Sequence, residues 1–349
     1  MVLDKLLVVF TGGTISCRVQ NKVMNATADA PYALISRYEE TQGGVVFETA
    51  SPLTILSENL LPDDWKTMAD CIRKRMDGSY SGVVVAHGTD TLAYTACALS
   101  FMLSGLRLPV VLVAADYPLD DPRSNGYANF IAAVDWIKSE RLPGVYAVWT
   151  EPGESRTSVH MGTRLTQAAA YTGRFSSITG RPLGVWDGHA FSWAGAQTDP
   201  GAEQLREKAG GTLTVYPALK NCIQYIRPYP GIDYSRLAMP SSVRAVFHGL
   251  YHSGTACVRQ AEGGDSSLSS FASRCSRDGR TVYSAPLWFS ENHYASADKL
   301  TDVRRLPPMS EEAAYVKLLL AFNLYPENQE ARDAYLENDI AFEQLKQLV

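Results

Sequence analysis

Two short segments place hydroxyl and carboxyl side chains beside glycines, and such groups act together only where a fold brings them to one pocket. The first is Thr11-Gly12-Gly13-Thr14-Ile15. Its glycines let the backbone turn tightly and approach a bound molecule, and Thr14 offers a hydroxyl to the same space. The second is His87-Gly88-Thr89-Asp90-Thr91, which adds a hydroxyl at Thr89 and a carboxylate at Asp90. Taken singly, each has a plain structural reading: a tight turn with a capping threonine, and an N-cap cluster before a helix. Taken as a pair, they supply what a catalytic pocket needs if both lie on one edge of one sheet.

The surrounding pattern places them there. Apolar runs at 6–10, 45–49, 82–86, 109–113 and 145–149 read as buried strands, each followed by loop-forming residues. Between them, 62–76, 91–103 and 126–138 repeat apolar residues at three and four and read as helices. This is an α/β pattern with a parallel sheet, whose ligands bind beyond the carboxyl ends of the strands, where both segments fall. Residues 195–220 are Gly-rich and charged and read as a linker. Strands at 221–226, 243–247 and 281–285 with helices at 266–274 and 310–322 then build a second α/β domain. The expected division is a larger domain at 1–194, the linker at 195–220 and a smaller domain at 221–349.

Composition narrows the function. A chain of 349 residues exceeds what one core usually holds, in keeping with two domains. A net charge of −5 leaves no basic field to gather phosphates, so nucleic acid is excluded as an expected partner in favour of a small polar ligand. No apolar stretch is long enough for a membrane span, and the first ten residues read as a strand, not a signal peptide. The six cysteines show no CxxC pair and read as reduced thiols in a cytoplasmic protein. The histidines form no zinc-type cluster, and no metal is expected.

With these residues in view, the chain resembles the bacterial-type L-asparaginases and glutaminase-asparaginases, in particular the cytoplasmic type I branch. TGGTI and HGTDT look like the two signatures of that family. The likeness continues through Ser57-Glu58-Asn59, Pro62-Asp63-Asp64-Trp65, Asp120-Asp121-Pro122-Arg123-Ser124-Asn125-Gly126 with Asn129, Tyr229-Pro230-Gly231 and Met309-Ser310-Glu311-Glu312-Ala313. The resemblance implies the asparaginase fold, with a flavodoxin-like smaller domain. It implies hydrolysis of a side-chain amide to the acid and ammonia, without a cofactor. Thr14 matches the nucleophile that forms an acyl-enzyme, and Thr89 the second catalytic threonine. Asp90 matches the carboxylate that meets the substrate α-ammonium, while Ser57 and Glu58 match the loop that holds its α-carboxylate and α-amino groups. Gly13 and Gly88 bring backbone close to the substrate. A symmetric homodimer or homotetramer is implied as well.

Two positions depart from the family pattern. A lysine completes a Thr-Asp-Lys relay in family members, yet no lysine occurs between Lys138 and Lys208; Gln167, or Arg164 with a different gap, takes its place. Neither exchanges a proton near neutral pH. The loop after TGGTI usually carries a tyrosine, where this chain has Met24, the nearest tyrosines being Tyr32 and Tyr38. These departures keep two alternatives open: an enzyme for a different amide, or an amino-acid-binding or sensing protein. His160, His189, His248 and His252 read as packing or loop residues, and Cys17 as a small apolar side chain. Tyr251 and Trp288 read as core or intersubunit contacts, and residues 284–298 as a contact region.

Overall fold

The computed structural model describes residues 3–13, 15, 17–20, 23–26, 30–151, 153–196, 199–210, 213–260, 264–285 and 294–346, the side chains of 17–20, 23–26, 30 and 31 excepted. Thr14 and the stretch 286–293, with Trp288, therefore lie outside the described residues, as do the side chains of Cys17 and Met24. The chain divides into two compact units, Met1–Val215 and Tyr216–Val349.

The strands of the first unit are β1 (Asp4–Phe10), β2 (Cys17–Gln20), β3 (Val23–Ala26), β4 (Val45–Ala50), β5 (Gly82–Ala86), β6 (Pro109–Val113), β7 (Gly144–Thr150), β8 (Thr157–Met161), β9 (Gly184–Trp186) and β10 (Phe191–Trp193). Its helices are α1 (Ala30–Thr41), α2 (Pro62–Arg73), α3 (Leu92–Met102), α4 (Gly126–Glu140) and α5 (Ala202–Lys208). One eight-stranded sheet runs β10-β9-β8-β7-β6-β5-β1-β4, while β2 and β3 form a separate hairpin. The β4-β1-β5-β6-β7 part is parallel, and β8 to β10 extend it antiparallel.

The residues explain the arrangement. β5 (GVVVA) and β6 (PVVLV) are buried at every position, as strands covered on both faces must be. In α2, Trp65, Met68, Ala69 and Ile72 line one buried stripe. Its start is marked by Pro62 and by Asp64, whose carboxylate accepts the Leu61 N–H at 2.7 Å. Helix α3 is apolar on nearly all sides and is buried accordingly, so the segment following β5 is held on a rigid element.

Counted along the chain, the five parallel strands lie in the order 2-1-3-4-5. The order reverses between β1 and β5, and open α/β sheets bind ligands in the crevice at such a point. TGGTI follows β1 and HGTDT follows β5, so the two segments flank the crevice.

The second unit contains β11 (Ile223–Ile226), β12 (Ala245–Gly249), β13 (Thr281–Ala285) and β14 (Val303–Arg305), all parallel and in sequence order. The expected smaller α/β domain is thus present, and its sheet has no switch point among the described residues. Its helices are α6 (Leu268–Arg277), α7 (Ala295–Asp298), α8 (Glu311–Leu324) and α9 (Gln329–Glu337). Residues 195–220, read from sequence as a linker, include α5, which buries Leu205, and the boundary between the units falls at Val215. No helix among the described residues is long and apolar enough to cross a membrane.

Candidate active site

Beyond Phe10 the chain is fastened to its neighbours. The Thr11 backbone N–H and hydroxyl both donate to the Ala86 carbonyl, at 3.1 and 2.9 Å, which ties the end of β1 to the end of β5. Ile55 N–H donates to Thr11 O and Gly13 N–H to Ile55 O, each at 3.1 Å, so the segment leading to Ser57 lies alongside the glycine turn. Gly12 and Gly13 have φ of +108° and +78°, a region that other residues enter at a cost.

The glycines also make close approach possible. A Cβ on Gly13 would lie 2.4 Å from the Gly88 N and Cα, and one on Gly88 would lie 2.4 Å from the Ser57 hydroxyl oxygen and 3.2 Å from the Gly13 Cα. Three loops therefore touch at the β1/β5 crevice: Gly12-Gly13, Ser57-Glu58 and Gly88-Thr89. The Thr91 hydroxyl donates to the Ser57 carbonyl at 2.9 Å and pins the second loop to the third. Ser57 and Gly88 are buried, Thr89 is half-buried, and Glu58 and Asp90 are exposed. The loops thus carry a half-buried threonine and two exposed carboxylate residues beside packed backbone.

Of the two residues standing where the family has lysine, Gln167 reaches this loop: its Nε2 donates to the Asp90 carbonyl at 2.8 Å. Arg164 is buried and forms an ion pair with Asp199, a half-buried residue whose side chain is largely covered. Tyr38, a potential substitute for the loop tyrosine, belongs to the core. It is fully buried against Phe47 and Phe130, and its hydroxyl donates to Asp135 at 2.9 Å.

His87 is a site residue that the sequence reading left without a role. Its Nδ1 lies 2.8 Å from the Gly88 carbonyl, its Nε2 lies 3.0 Å from the Thr95 hydroxyl, and Trp65 Nε1 donates to that hydroxyl at 3.1 Å. Burial lowers its pKa to about 4 against the opposing pull of the Gly88 carbonyl, so the ring is neutral at physiological pH. The local signal was a histidine between a buried strand and a glycine; its partners are on α2 and α3.

His160 and His248 are buried as well, with pKa values lowered to about 4 by burial. All three native-state values lie below that of an exposed histidine, so between roughly pH 6.5 and 4 the unfolded chain binds protons that the native chain does not. Stability from this source is therefore fully present above roughly pH 6.5 and lost as pH falls towards 4, by up to about 3 kcal/mol per histidine. Urea midpoints measured across that range are expected to fall steeply; replacing His160, which is remote from the HGTDT loop in sequence, by Gln should flatten the slope. An unchanged slope would refute the assignment for His160.

Comparison with known proteins places this construction. The family model described as Asparaginase, N-terminal, matches residues 5–198. The chain is 31% identical over 245 residues to a glutamyl-tRNA(Gln) amidotransferase component from Halobacterium salinarum, a match covering 68% of this chain but 56% of that protein. The chain thus spans little more than half the length of that relative. With the protein of the same name from Pyrococcus horikoshii it is 28% identical over 352 residues, covering 96% of this chain and 76% of the relative. Among solved structures, L-asparaginase I from Vibrio cholerae matches with a TM-score of 0.77 and 26% identity, covering 99% of this chain and 100% of that one. The thermostable L-asparaginase from Thermococcus kodakarensis shares the fold, with a TM-score of 0.77 at 24% identity over 98% of this chain and 100% of that one. Fold and crevice together define a two-unit α/β protein with an open sheet and a switch-point crevice in its first unit. The chain belongs to the asparaginase family.

Proposed function

We propose that this protein hydrolyses the side-chain amide of L-asparagine, or of a closely related small amide, to the acid and ammonia. The observation that carries the reading is the contact of Gly13, Ser57 and Gly88 at the β1/β5 switch point, which gathers three of the motif loops around one crevice. In this reading Thr14 attacks the amide carbon, ammonia leaves, and water hydrolyses the resulting ester. Thr89 supplies the second hydroxyl, and backbone N–H groups of the glycine turn and of Thr89 meet the oxyanion. Asp90 and Glu58 face the α-ammonium, and Ser57 the α-carboxylate. Gln167 holds the Asp90 loop by its carbonyl but does not titrate near neutral pH, so the base is a group other than a relay lysine. The protein acts as a homo-oligomer in the cytoplasm, without a cofactor.

The names of the matched relatives favour one further reading, in which the ammonia feeds an amidotransferase and the chain works beside a second protein. With a net charge of −5, contact with tRNA would then fall to that second protein.

The test is ammonia release by the purified protein from asparagine, glutamine and D-asparagine, with Thr14→Ala as control. Release from asparagine that the control loses supports the proposal. Intact amides, together with equal binding by the wild type and Thr14→Ala, would identify a binding protein instead. Activity that appears only on adding a partner protein would favour the amidotransferase reading.

A further inference from the structure

We infer that His87 is a positioning residue that aims the Thr89 backbone N–H at the reacting carbonyl oxygen, by latching the Gly88–Thr89 peptide from behind. The inference deepens the proposed amide hydrolysis and rests on it.

The proton positions follow from chemistry alone. The Gly88 carbonyl only accepts, so His87 Nδ1, 2.8 Å away, carries the hydrogen. The buried ring is neutral and holds one proton, so Nε2 is a bare acceptor and the Thr95 hydroxyl donates to it. That hydroxyl oxygen in turn accepts from Trp65 Nε1, a group that can only donate. From Trp65 to Gly88 each link has one permitted direction. The donors also come from α2 and α3, two helices anchored in the core, so the latch is rigid.

The latch acts on the one peptide that needs it. Glycine is the residue whose backbone rotates most freely, and Gly88 cannot be exchanged for a stiffer residue because Ser57 and Gly13 crowd its Cα. In a planar trans peptide the C=O and N–H point in opposite directions. Holding the Gly88 oxygen against the imidazole therefore turns the Thr89 N–H away from the core. This N–H has no acceptor among the described residues, and Thr89 precedes the first turn of α3, where donors go unused by the helix. A preset donor of this kind stabilises a developing oxyanion without reorganising when the charge forms.

The same wiring recurs at the end of β12. There His248 Nδ1 lies 2.5 Å from the Gly249 carbonyl and Nε2 lies 2.8 Å from the Tyr234 hydroxyl. A His-Gly pair closing a buried parallel strand adopts this conformation twice on separate sheets, so it is a property of the strand end itself.

The test separates the two imidazole nitrogens. In His87→Asn the amide nitrogen stands where Nδ1 stood and can still donate to Gly88; in His87→Gln the amide reaches the Nε2 position and serves Thr95 only. His87→Gln is expected to lower kcat for asparagine about 30–100-fold with KM changed less than threefold, whereas His87→Asn keeps kcat within about fivefold. Thr95→Val, which retains the imidazole but frees it to take the other tautomer, should lower kcat about tenfold and covers the case in which a His87 variant does not fold. Equal losses in the Asn and Gln variants, or a loss seen in KM alone, would overturn the latch in favour of a packing role, and so would an unchanged Thr95→Val. A wild-type protein that releases no ammonia from any amide would instead refute the functional reading, and the latch with it.

Discussion

Replacing Thr89 by Val is expected to reduce kcat for ammonia release by a factor of roughly 10²–10⁴ while leaving the fold intact. Valine keeps the branched shape and the stiff χ1 of threonine and removes only the oxygen. The position tolerates the exchange because Thr89 is half-buried, and because the contact that fixes the loop, the Thr91 hydroxyl on the Ser57 carbonyl, is untouched. What disappears is the only side-chain hydroxyl of the His87–Asp90 turn. Asp90→Asn provides the contrast. It keeps the backbone carbonyl that Gln167 holds but removes the charge proposed to meet the substrate ammonium, so the larger change should appear in KM. Steady-state kinetics on both variants, beside their thermal melts, distinguish the roles. A Thr89→Val enzyme within threefold of wild type would remove Thr89 from the chemistry.

Much of this framework is legible in the chain itself. β5 and β6 match the expected strands end to end, because a short apolar run stops at His87 in one case and follows Pro109 in the other. Helix ends are less sharp: α2 closes at Arg73, where sequence periodicity carries on to 76, since Lys74 still has helical torsions while Arg75 and Met76 bond in a tighter turn. The short strands β8, β9 and β10 went unread. Their hydrophobic alternation spans three to five residues, too few to rise above loop composition. Helix α5 hides in a charged stretch because a single buried side chain, Leu205, holds it down. In the site, the glycines and hydroxyls announced a pocket, since Gly-Gly and His-Gly at strand ends are cheap to recognise. That Gly13, Ser57 and Gly88 touch depends on the strand order 2-1-3-4-5, which no local pattern encodes. The role of His87 is still harder to see, because its partners Thr95 and Trp65 lie on two different helices.

That dependence on contact makes the glycines the sharpest structural probe of the site. Gly13→Ala is expected to abolish ammonia release and to lower the melting temperature of the 1–215 unit by about 5–10 °C. Two costs combine: alanine at φ +78° is strained, and its methyl would stand 2.4 Å from backbone atoms of Gly88 that cannot rotate aside. The loops must then separate, and the crevice between β1 and β5 loses its floor. Gly88→Ala meets a different obstacle, since the nearest atoms are the Ser57 hydroxyl oxygen at 2.4 Å and its Cβ at 2.7 Å. Adding Ser57→Gly removes both atoms, and the next nearest is the Gly13 Cα, at 3.2 Å. The double variant should therefore recover most of the lost stability but not the activity, because Ser57 is the group assigned to the substrate carboxylate. No Ser57 substitution should rescue Gly13→Ala. A double-mutant cycle in melting temperature reads this difference directly. Strict additivity of Gly88→Ala and Ser57→Gly would mean that the two loops are not in contact, and the single crevice on which the proposed chemistry depends would not exist.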